Sequence, residues 1–231
     1  HSGFWDSRIE LCYSAADPDT IYASININSG EIWRSKNGGK SFSKRSSRNM
    51  DNDPARYLGD QGWYDNTIWA GDPTDEDLVI VGGIDLWRST NAGTRLSDIS
   101  TWWESGSVHA DHHAICSHPG YNGTTNRIVY FGNDGGIYRT DDVTTAGNDP
   151  VPHIFGWENR NNSYGVTQFY GGAVNEATGV IVCGAQDNGT LAFHPVSGGA
   201  PGNWVSIFGG DGGYCASDPT DSDVFYGEYV Y

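Results

Sequence analysis

Short apolar runs separated by polar turns follow one another along the whole chain. The run at residues 78–82, Leu-Val-Ile-Val-Gly, lies between Asp-Glu-Asp and Gly-Ile-Asp. Similar runs, rich in β-branched and aromatic residues, lie at 20–24, 127–131, 180–184 and 224–227. Runs of this length between Gly, Asp and Asn clusters are typical of strands, and no segment has the period of a helix. The pattern predicts an all-β protein.

The runs belong to a longer internal repeat. A polar anchor precedes each run, and the anchors are spaced 43–57 residues apart: Asp17, Asp72, His118, Asn175 and Asp218. A second apolar run recurs as Ile-Trp-Arg-Ser at 32–35, Leu-Trp-Arg-Ser at 86–89 and Ile-Tyr-Arg-Thr at 137–140. Repeats of this length, with Gly-rich hairpins and no helix, are typical of the four-stranded antiparallel blades of a β-propeller.

We predict one domain, residues 1–231, with blades beginning near residues 5, 61, 107, 164 and 208. Only two strands follow the fifth anchor, so the sequence accounts for about four and a half blades. An open ring leaves strand edges exposed, which favours part of a six- to eight-bladed ring completed by another chain or segment. A five-bladed ring with a short last blade is the alternative. Four tryptophans fall where outer strands are expected and should pack between blades, with stacking on a sugar ring as the alternative: Trp102, Trp103, Trp157 and Trp204.

The segment at residues 35–42, Ser-Lys-Asn-Gly-Gly-Lys-Ser-Phe, resembles the Asp-box of BNR-repeat proteins, with Asn37 in place of the Asp. Residues 89–94 keep the first half of the box, and residues 140–142 keep its Asp but not its Gly. The chain is therefore similar to the BNR/Asp-box propeller superfamily, which includes sortilin-like and xyloglucanase-like propellers. The resemblance implies a folding role for the box and carries over no catalytic residue. Sialidases of this superfamily need an Arg-Ile-Pro motif, whereas this chain has Arg-Ile-Glu at 8–10, so sialidase activity is disfavoured.

Composition and net charge limit the classes of partner that the protein can bind. The 13 Lys and Arg residues against 29 Asp and Glu give a net charge of −16, which repels nucleic acid and anionic lipid. No apolar run approaches the ~18 residues of a membrane-spanning helix. One Met, few Lys and 32 Gly favour an extracellular protein, secreted or on the cell surface. The four cysteines show no metal-binding spacing. The sequence contains no dinucleotide-binding motif, so we predict no organic cofactor.

Polar residues recur in register seven positions before each anchor: Glu10, Asp65, Asp111, Gln168 and Asp211. In a propeller, equivalent positions of successive blades form a ring at one mouth of the central channel. The ends of the second strands reach the same mouth and add Asp134 and Asp187. Neighbouring carboxylates raise one another's pKa unless a cation or a shared proton compensates. Oxygen ligands would suit Ca²⁺.

The segment at residues 107–113, Ser-Val-His-Ala-Asp-His-His, is the densest group of chemically active side chains. On a straight strand, His109, Asp111 and His113 would face one way and His112 the other. His109 and Asp111, completed by Asp134 of the neighbouring turn, form the candidate metal set. His–carboxylate pairing that only orients the channel wall is the alternative.

Three functions remain open. The first is a propeller whose acidic mouth binds a glycan, a cation or both, with ligand-binding candidates Trp63, Tyr64, His109, His112, Gln168 and Asp187. The second is a glycoside hydrolase that uses two ring carboxylates, with candidates Asp111, Asp65 and Asp211. The third is a structural or protein-interaction propeller of a cell-surface assembly.

Overall fold

The computed structural model describes residues 8–162, 167–195 and 204–229. Within these residues lie four four-stranded antiparallel sheets and one two-stranded sheet. In each four-stranded sheet the hydrogen-bonded order of the strands follows their order in the chain, so each sheet is a meander. Sequential meanders of four strands are the blades of a propeller, and the all-β prediction of a partial β-propeller is confirmed. None of the described residues form a helix long and apolar enough to cross a membrane.

The first three blades lie in residues 1–160, which form one compact unit (unit 1). Blade 1 contains β1 (Ile9–Tyr13), β2 (Ile21–Ile25), β3 (Glu31–Ser35) and β4 (Ser43–Lys44). Blade 2 contains β5 (Thr67–Trp69), β6 (Val79–Gly82), β7 (Leu86–Ser89) and β8 (Ser97–Asp98). Blade 3 contains β9 (His112–Ser117), β10 (Val129–Asn133), β11 (Gly136–Thr140) and β12 (Glu158–Asn159).

Residues 161–231 form a second compact unit (unit 2). Its complete sheet contains β13 (Phe169–Val174), β14 (Ile181–Ala185), β15 (Gly189–Phe193) and β16 (Trp204–Phe208). Its last sheet contains β17 (Gly212–Ser217) and β18 (Phe225–Tyr229). The predicted blade starts near 61, 107 and 208 lie a few residues before β5, β9 and β17. Those near 5 and 164 lie outside the described residues, and the single domain stays a prediction.

The core of unit 1 lies between its blades. The first strands β1 and β5 contact each other, as do β5 and β9, so the three sheets stand side by side with their first strands together. Strand β6 is buried on both faces because its side chains alternate. Val79 and Val81 pack towards blade 1, in a cluster with Tyr22, whereas Ile80 packs towards blade 3, in a cluster with Phe131. This double burial explains the uninterrupted apolar run at 78–82.

Polar contacts tie the neighbouring blades of unit 1 together. The Arg34 guanidinium of β3 pairs with Glu76 at 3.1 Å and with Asp77 at 3.0 Å, both in blade 2. The buried Arg88 of β7 donates to the carbonyl oxygens of Val143 (3.2 Å) and Ala146 (2.7 Å) in blade 3. The recurring Trp-Arg-Ser and Tyr-Arg-Thr runs therefore place an arginine on each third strand, and two of these three arginines bind the next blade.

Of the four tryptophans predicted to pack between blades, Trp204 packs on Phe169 and Phe193 of its own sheet, and the three in unit 1 divide into two groups. Trp157 packs on Phe131 and donates from Nε1 to the Ile99 carbonyl oxygen of blade 2 at 3.1 Å, as predicted. Trp102 and Trp103 are instead 50% and 64% exposed and contact each other edge to face. That part of the prediction is wrong, because the chain leaves the blade after the two-residue strand β8 and turns at residues 101–107.

The five anchors form the turns between first and second strands. In each, the anchor side chain accepts a hydrogen bond from the backbone N–H two residues later: Asp17, Asp72, His118, Asn175 and Asp218. In unit 1 the hairpins between third and fourth strands lie at the same end of the blades. There the Ser35 hydroxyl donates to Asn37 at 3.0 Å, and the Asn37 carbonyl oxygen accepts from the Ser41 N–H. We call this end of unit 1 the turn rim.

Candidate functional site

The opposite end of unit 1 carries the candidate chemistry, and we call it the acidic rim. In an antiparallel meander, the segment that leads into the first strand and the turn after the second strand lie at the same end. The lead-in to β5 supplies Gln61, Tyr64 and Asp65, and Asp111 immediately precedes β9. The turn between β10 and β11 supplies Asp134.

Asp65 and Asp111 form a buried carboxyl pair. The Gln61 amide nitrogen donates to Asp65 Oδ2 at 2.9 Å and to Asp111 Oδ1 at 2.7 Å. Asp65 is fully buried and Asp111 is 9% exposed. Asp65 Oδ1 is buried, and no donor among the described residues faces it. The backbone of Asp111 is in the left-handed region, at a φ of 64°, which turns its carboxylate towards Gln61.

Burial sets the protonation of this pair. Burial, with a smaller contribution from the neighbouring Asp111 charge and against the Gln61 donor, raises the pKa of Asp65 to about 7. Burial also raises the pKa of Asp111, and the Asp134 charge adds to that effect. Two carboxyl groups this close cannot both ionise easily, so the geometry favours one proton held between Asp65 and Asp111 near neutral pH.

Asp134 belongs to a second, more accessible network. The Tyr64 hydroxyl donates to Asp134 Oδ2 at 2.8 Å, and His113 Nε2 lies 2.8 Å from Asp134 Oδ1. The Tyr64 and His113 rings contact each other edge to face, with centroids 4.9 Å apart. Carboxylate oxygens of Asp134 and Asp111 lie within 4.8 Å of each other, so the two networks are adjacent. Residues from blades 2 and 3 therefore meet at one place on the rim.

The exposed tryptophans lie on the same rim. Asp85, in the turn between β6 and β7, accepts from the Ser100 hydroxyl at 2.7 Å and from the Trp102 N–H at 3.0 Å. Burial raises the pKa of Asp85 to about 6. The Thr101 N–H donates to the Ser107 hydroxyl at 2.9 Å, which closes the loop that carries Trp102 and Trp103. These contacts hold two indole rings at the surface near the carboxylates.

The histidine segment does not form the straight strand that we expected. Strand β9 begins only at His112, because the left-handed Asp111 interrupts the extended chain. His112 is fully buried between blades and therefore does not reach the rim surface. The burial lowers its pKa to about 3. Its Cβ would lie 2.8 Å from a Cβ built on Gly82. This burial disfavours His112 as a ligand-binding residue, and that role stays a prediction.

His109 is half-buried and packs on the backbone of Gly135, where an added Cβ would lie 2.4 Å from the His109 Cβ. The Asn133 amide donates to the His109 carbonyl oxygen at 2.9 Å. The glycine thus gives room to His109 rather than to a ligand. Of the candidate metal set, Asp111 and Asp134 come together with oxygen atoms that suit a hard cation such as Ca²⁺. His109 stays a prediction as a ligand.

The other candidates lie as follows. Trp63 is 63% exposed and Tyr64 37% exposed, beside Asp65. In unit 2, Gln168 is exposed immediately before β13, and Asp211 immediately precedes β17. Asp211 Oδ1 accepts from the backbone N–H of Asp187 at 2.9 Å. The sequence did not predict a role for Gln61, because a single glutamine belongs to no recognisable motif. It did not predict the pairing of His113 with Asp134 either, because the kink at Asp111 is not visible in the sequence.

No family model matches the chain, and no curated protein matches it. Solved structures do resemble it. The GH74 xyloglucanase from Xanthomonas campestris is 18% identical at a TM-score of 0.46, over 94% of this chain and 34% of that one. YCF48 from Cyanidioschyzon merolae is 12% identical at 0.41, over 96% of this chain and 64% of that one. The Cps50 (Swd1) β-propeller domain from Myceliophteria thermophila is 11% identical at 0.37, over 88% and 61%. The chain thus spans less than two thirds of each.

Proposed function

We propose that the acidic rim of unit 1 binds a neutral glycan. The observation that carries the proposal is the Asp134 carboxylate, which Tyr64 and His113 hold in place beside Asp111 and close to the exposed ring of Trp63. Fixed carboxylate oxygens accept hydrogen bonds from sugar hydroxyls. An exposed aromatic ring offers a flat apolar face to the C–H groups of a pyranose.

Three exposed indoles support a ligand with an apolar face. Trp63, Trp102 and Trp103 are each at least half exposed, and large exposed aromatic side chains on a rigid scaffold are typical of binding surfaces. The net charge of −16 disfavours a polyanion at a rim made of carboxylates. A neutral polysaccharide combines hydroxyls with apolar ring faces and suits both features.

The geometry favours binding over hydrolysis. A retaining glycosidase needs its two carboxyl groups about 5–5.5 Å apart, and an inverting one about 6.5–9.5 Å. Asp65 Oδ2 and Asp111 Oδ1 accept from the same Gln61 nitrogen at 2.9 and 2.7 Å, so these two oxygens lie closer together than the inverting arrangement requires. Asp65 is also fully buried and cannot contact a sugar. A role for Asp111 and Asp65 as a catalytic pair is therefore disfavoured.

We also propose that the chain is a BNR-type propeller of the cell exterior. The hairpin of residues 35–41 and its counterpart at 89–95 have the same hydrogen bonds, in which Ser89 donates to Asn91 at 3.0 Å and Asn91 accepts from the Arg95 N–H at 2.8 Å. This repetition supports the Asp-box assignment. Secretion and a second chain or segment that completes the ring are parts of the same proposal.

The test measures binding and cleavage together. Wild-type protein and the Asp134→Asn variant are titrated with a panel of neutral polysaccharides by calorimetry, with and without EDTA. We expect at least a tenfold weaker affinity in Asp134→Asn, whereas Asp60→Asn, an exposed carboxylate off the rim networks, should bind like wild type. Loss of binding in EDTA that Ca²⁺ restores would add a cation to the site. If no neutral glycan binds, the proposal fails.

Release of reducing ends by wild type, abolished in Asp111→Asn, would contradict the preference for binding over hydrolysis. In that case the rim would be a hydrolase site, with Asp111 acting together with a carboxylate other than Asp65.

A further inference from the structure

Unit 1 also carries a group of arginines that have no acidic partner among the residues that the structure describes. Ion pairs in the described residues use seven of the 13 Lys and Arg residues of this acidic chain. Arg45, Arg48, Arg56 and Arg95 take part in none of them. Three of the four are exposed, and Arg45 is half-buried. The chain has 29 acidic residues, yet none of those described forms an ion pair with these four arginines.

The four arginines instead bond to neutral oxygen atoms. Arg45 donates to the Ala92 carbonyl oxygen at 2.8 Å and to the Thr94 hydroxyl at 2.7 Å. Arg48 donates to the Asn52 carbonyl oxygen at 2.6 Å, and Arg95 to that of Met50 at 3.4 Å. Arg56 donates to the Ser29 hydroxyl at 3.3 Å. A guanidinium has five N–H donors, and none of these side chains uses more than two, so charge and donors remain for a ligand.

The local fold places two of these side chains, Arg45 and Arg48, in the wall of one cleft and brings Arg95 next to Arg48. Arg48 and Arg95 are partners in a parallel β-bridge, and Arg45 binds Thr94, the residue before Arg95. The cleft has a volume of about 510 Å³ and lies between the turn from β2 to β3 and the segment at residues 44–54. Lys44, Arg45, Arg48 and Ser46 line it. We call it the basic cleft.

The acidic group in the lining is already neutralised. Glu31 Oε1 accepts from Lys44 at 2.6 Å and from the Asn28 amide at 2.8 Å, and Oε2 accepts from the Trp33 indole at 3.0 Å. Burial opposes its ionisation, but these donors outweigh burial and hold the pKa of Glu31 below its usual value. The charges of Lys44 and Glu31 therefore cancel, and Arg45 and Arg48 give the cleft a net positive charge.

We propose that the basic cleft binds a single oxyanion, the sulfate or phosphate group of an otherwise neutral ligand. The planar donor fork of arginine fits the oxygen atoms of such groups, often through two parallel hydrogen bonds. A long polyanion is a poor ligand, because the acidic surface around the cleft repels the rest of it. The proposal is independent of glycan binding at the acidic rim.

Titration with small anions tests this directly. The intact chain is titrated with inorganic phosphate, inorganic sulfate, glucose 6-phosphate and glucose 6-sulfate at constant ionic strength, with chloride as the reference anion. The Arg48→Gln/Arg95→Gln variant removes two exposed guanidiniums that each make one bond to a carbonyl oxygen. Lys36→Gln/Arg160→Gln is the matched control, because it removes two exposed cations that already have carboxylate partners.

We expect saturable binding of at least one phosphate or sulfate compound to wild type and to the control. The arginine variant should bind it at least tenfold more weakly, with an unchanged melting temperature in chloride. The phosphate and sulfate arms then distinguish the two sources of the oxyanion. Sulfate stabilises folded proteins generally, so equal stabilisation of all three proteins, without saturable binding, would overturn the proposal. Equal affinity in wild type and the arginine variant would overturn it as well.

Discussion

Asp65 and Asp72 lie at the two ends of strand β5, one on the acidic rim and one on the turn rim, and both are buried. Asp72 Oδ1 accepts from the Thr74 N–H and hydroxyl, both at 2.7 Å, and from the Asp75 N–H at 3.1 Å. Its Oδ2 accepts from the Tyr121 hydroxyl at 2.7 Å. Asp65 accepts one hydrogen bond from a side chain, that of Gln61.

The two carboxyl groups consequently have opposite pKa shifts. Burial opposes ionisation of Asp72, but its donors outweigh burial and hold the pKa below the usual value. At Asp65 burial dominates and raises the pKa to about 7. Residue type and burial are alike, so the difference comes from the local supply of donors and from the Asp111 charge beside Asp65. A buried carboxylate that its own turn supplies with donors stays ionised and stabilises the fold, whereas one with a single donor keeps a raised pKa.

Replacement of Asp72 by Ala should change the free energy of unfolding more than any other substitution proposed here. The variant loses four hydrogen bonds and leaves the half-buried Tyr121 without its acceptor, so we expect unit 1 to lose about 2–4 kcal/mol of stability. Chemical denaturation followed by tryptophan fluorescence measures the loss. Asp60→Ala, at an exposed position, should change stability by less than about 0.5 kcal/mol. A loss for Asp72→Ala as small as that would show that the turn does not depend on the anchor.

Replacement of Asp65 by Asn should act in the opposite direction. The unfolded pKa is near 3.8 and the folded pKa about 7, so the native state retains a proton that the unfolded state releases. Wild-type stability from this group therefore falls as the pH rises between those values. Asn cannot ionise, and its amide can still donate to Asp111. We expect Asp65→Asn to match wild type near pH 4 and to be about 1–3 kcal/mol more stable at pH 8.

Denaturation curves of both proteins at pH 4, 6 and 8 provide the measurement. A stability difference that does not grow with pH would mean that Asp65 is ionised in the native state, and the shared proton would then be wrong. Asp72→Asn is the matched control at the other end of β5. Its pKa is lowered rather than raised, so that variant should not become more stable than wild type as the pH rises.

The same contrast explains how much the sequence could predict. The anchors and hairpins of the turn rim depend on residues two to four positions apart, such as Asp72 with Thr74 and Ser35 with Asn37. Local patterns of this kind are visible in a single sequence. The blade pattern followed from them, and so did the register that placed Asp65 and Asp111 at one end of the blades.

The site itself depends on contacts between distant residues. Gln61 reaches Asp111, Tyr64 reaches Asp134, and Arg45 reaches Thr94. No local spacing records these pairs, and the left-handed Asp111 redirects the chain in a way that strand alternation cannot predict. The exposure of Trp102 and Trp103 follows from the shortness of β8, whose end has no sequence signal. The basic cleft had a partial signal, since five of the 13 cations fall within residues 36–48.

The smallest expected effect concerns the two hairpins of the turn rim. Asn37→Ala removes the acceptor of the Ser35 hydroxyl and of the Ser41 N–H, and Asn91→Ala does the same for Ser89 and the Arg95 N–H. Each variant should lose about 1 kcal/mol of stability, because the buried serine loses one hydrogen bond while the freed N–H of Ser41 or Arg95 lies in an exposed residue and can bond to water. Asn37→Asp keeps an acceptor oxygen for both donors and should stay within about 0.5 kcal/mol of wild type. Neither alanine variant should change glycan affinity at the acidic rim, since the hairpins lie at the other end of the blades. A tenfold loss of glycan affinity in a stably folded Asn37→Ala protein would end the division of unit 1 into a structural rim and a binding rim.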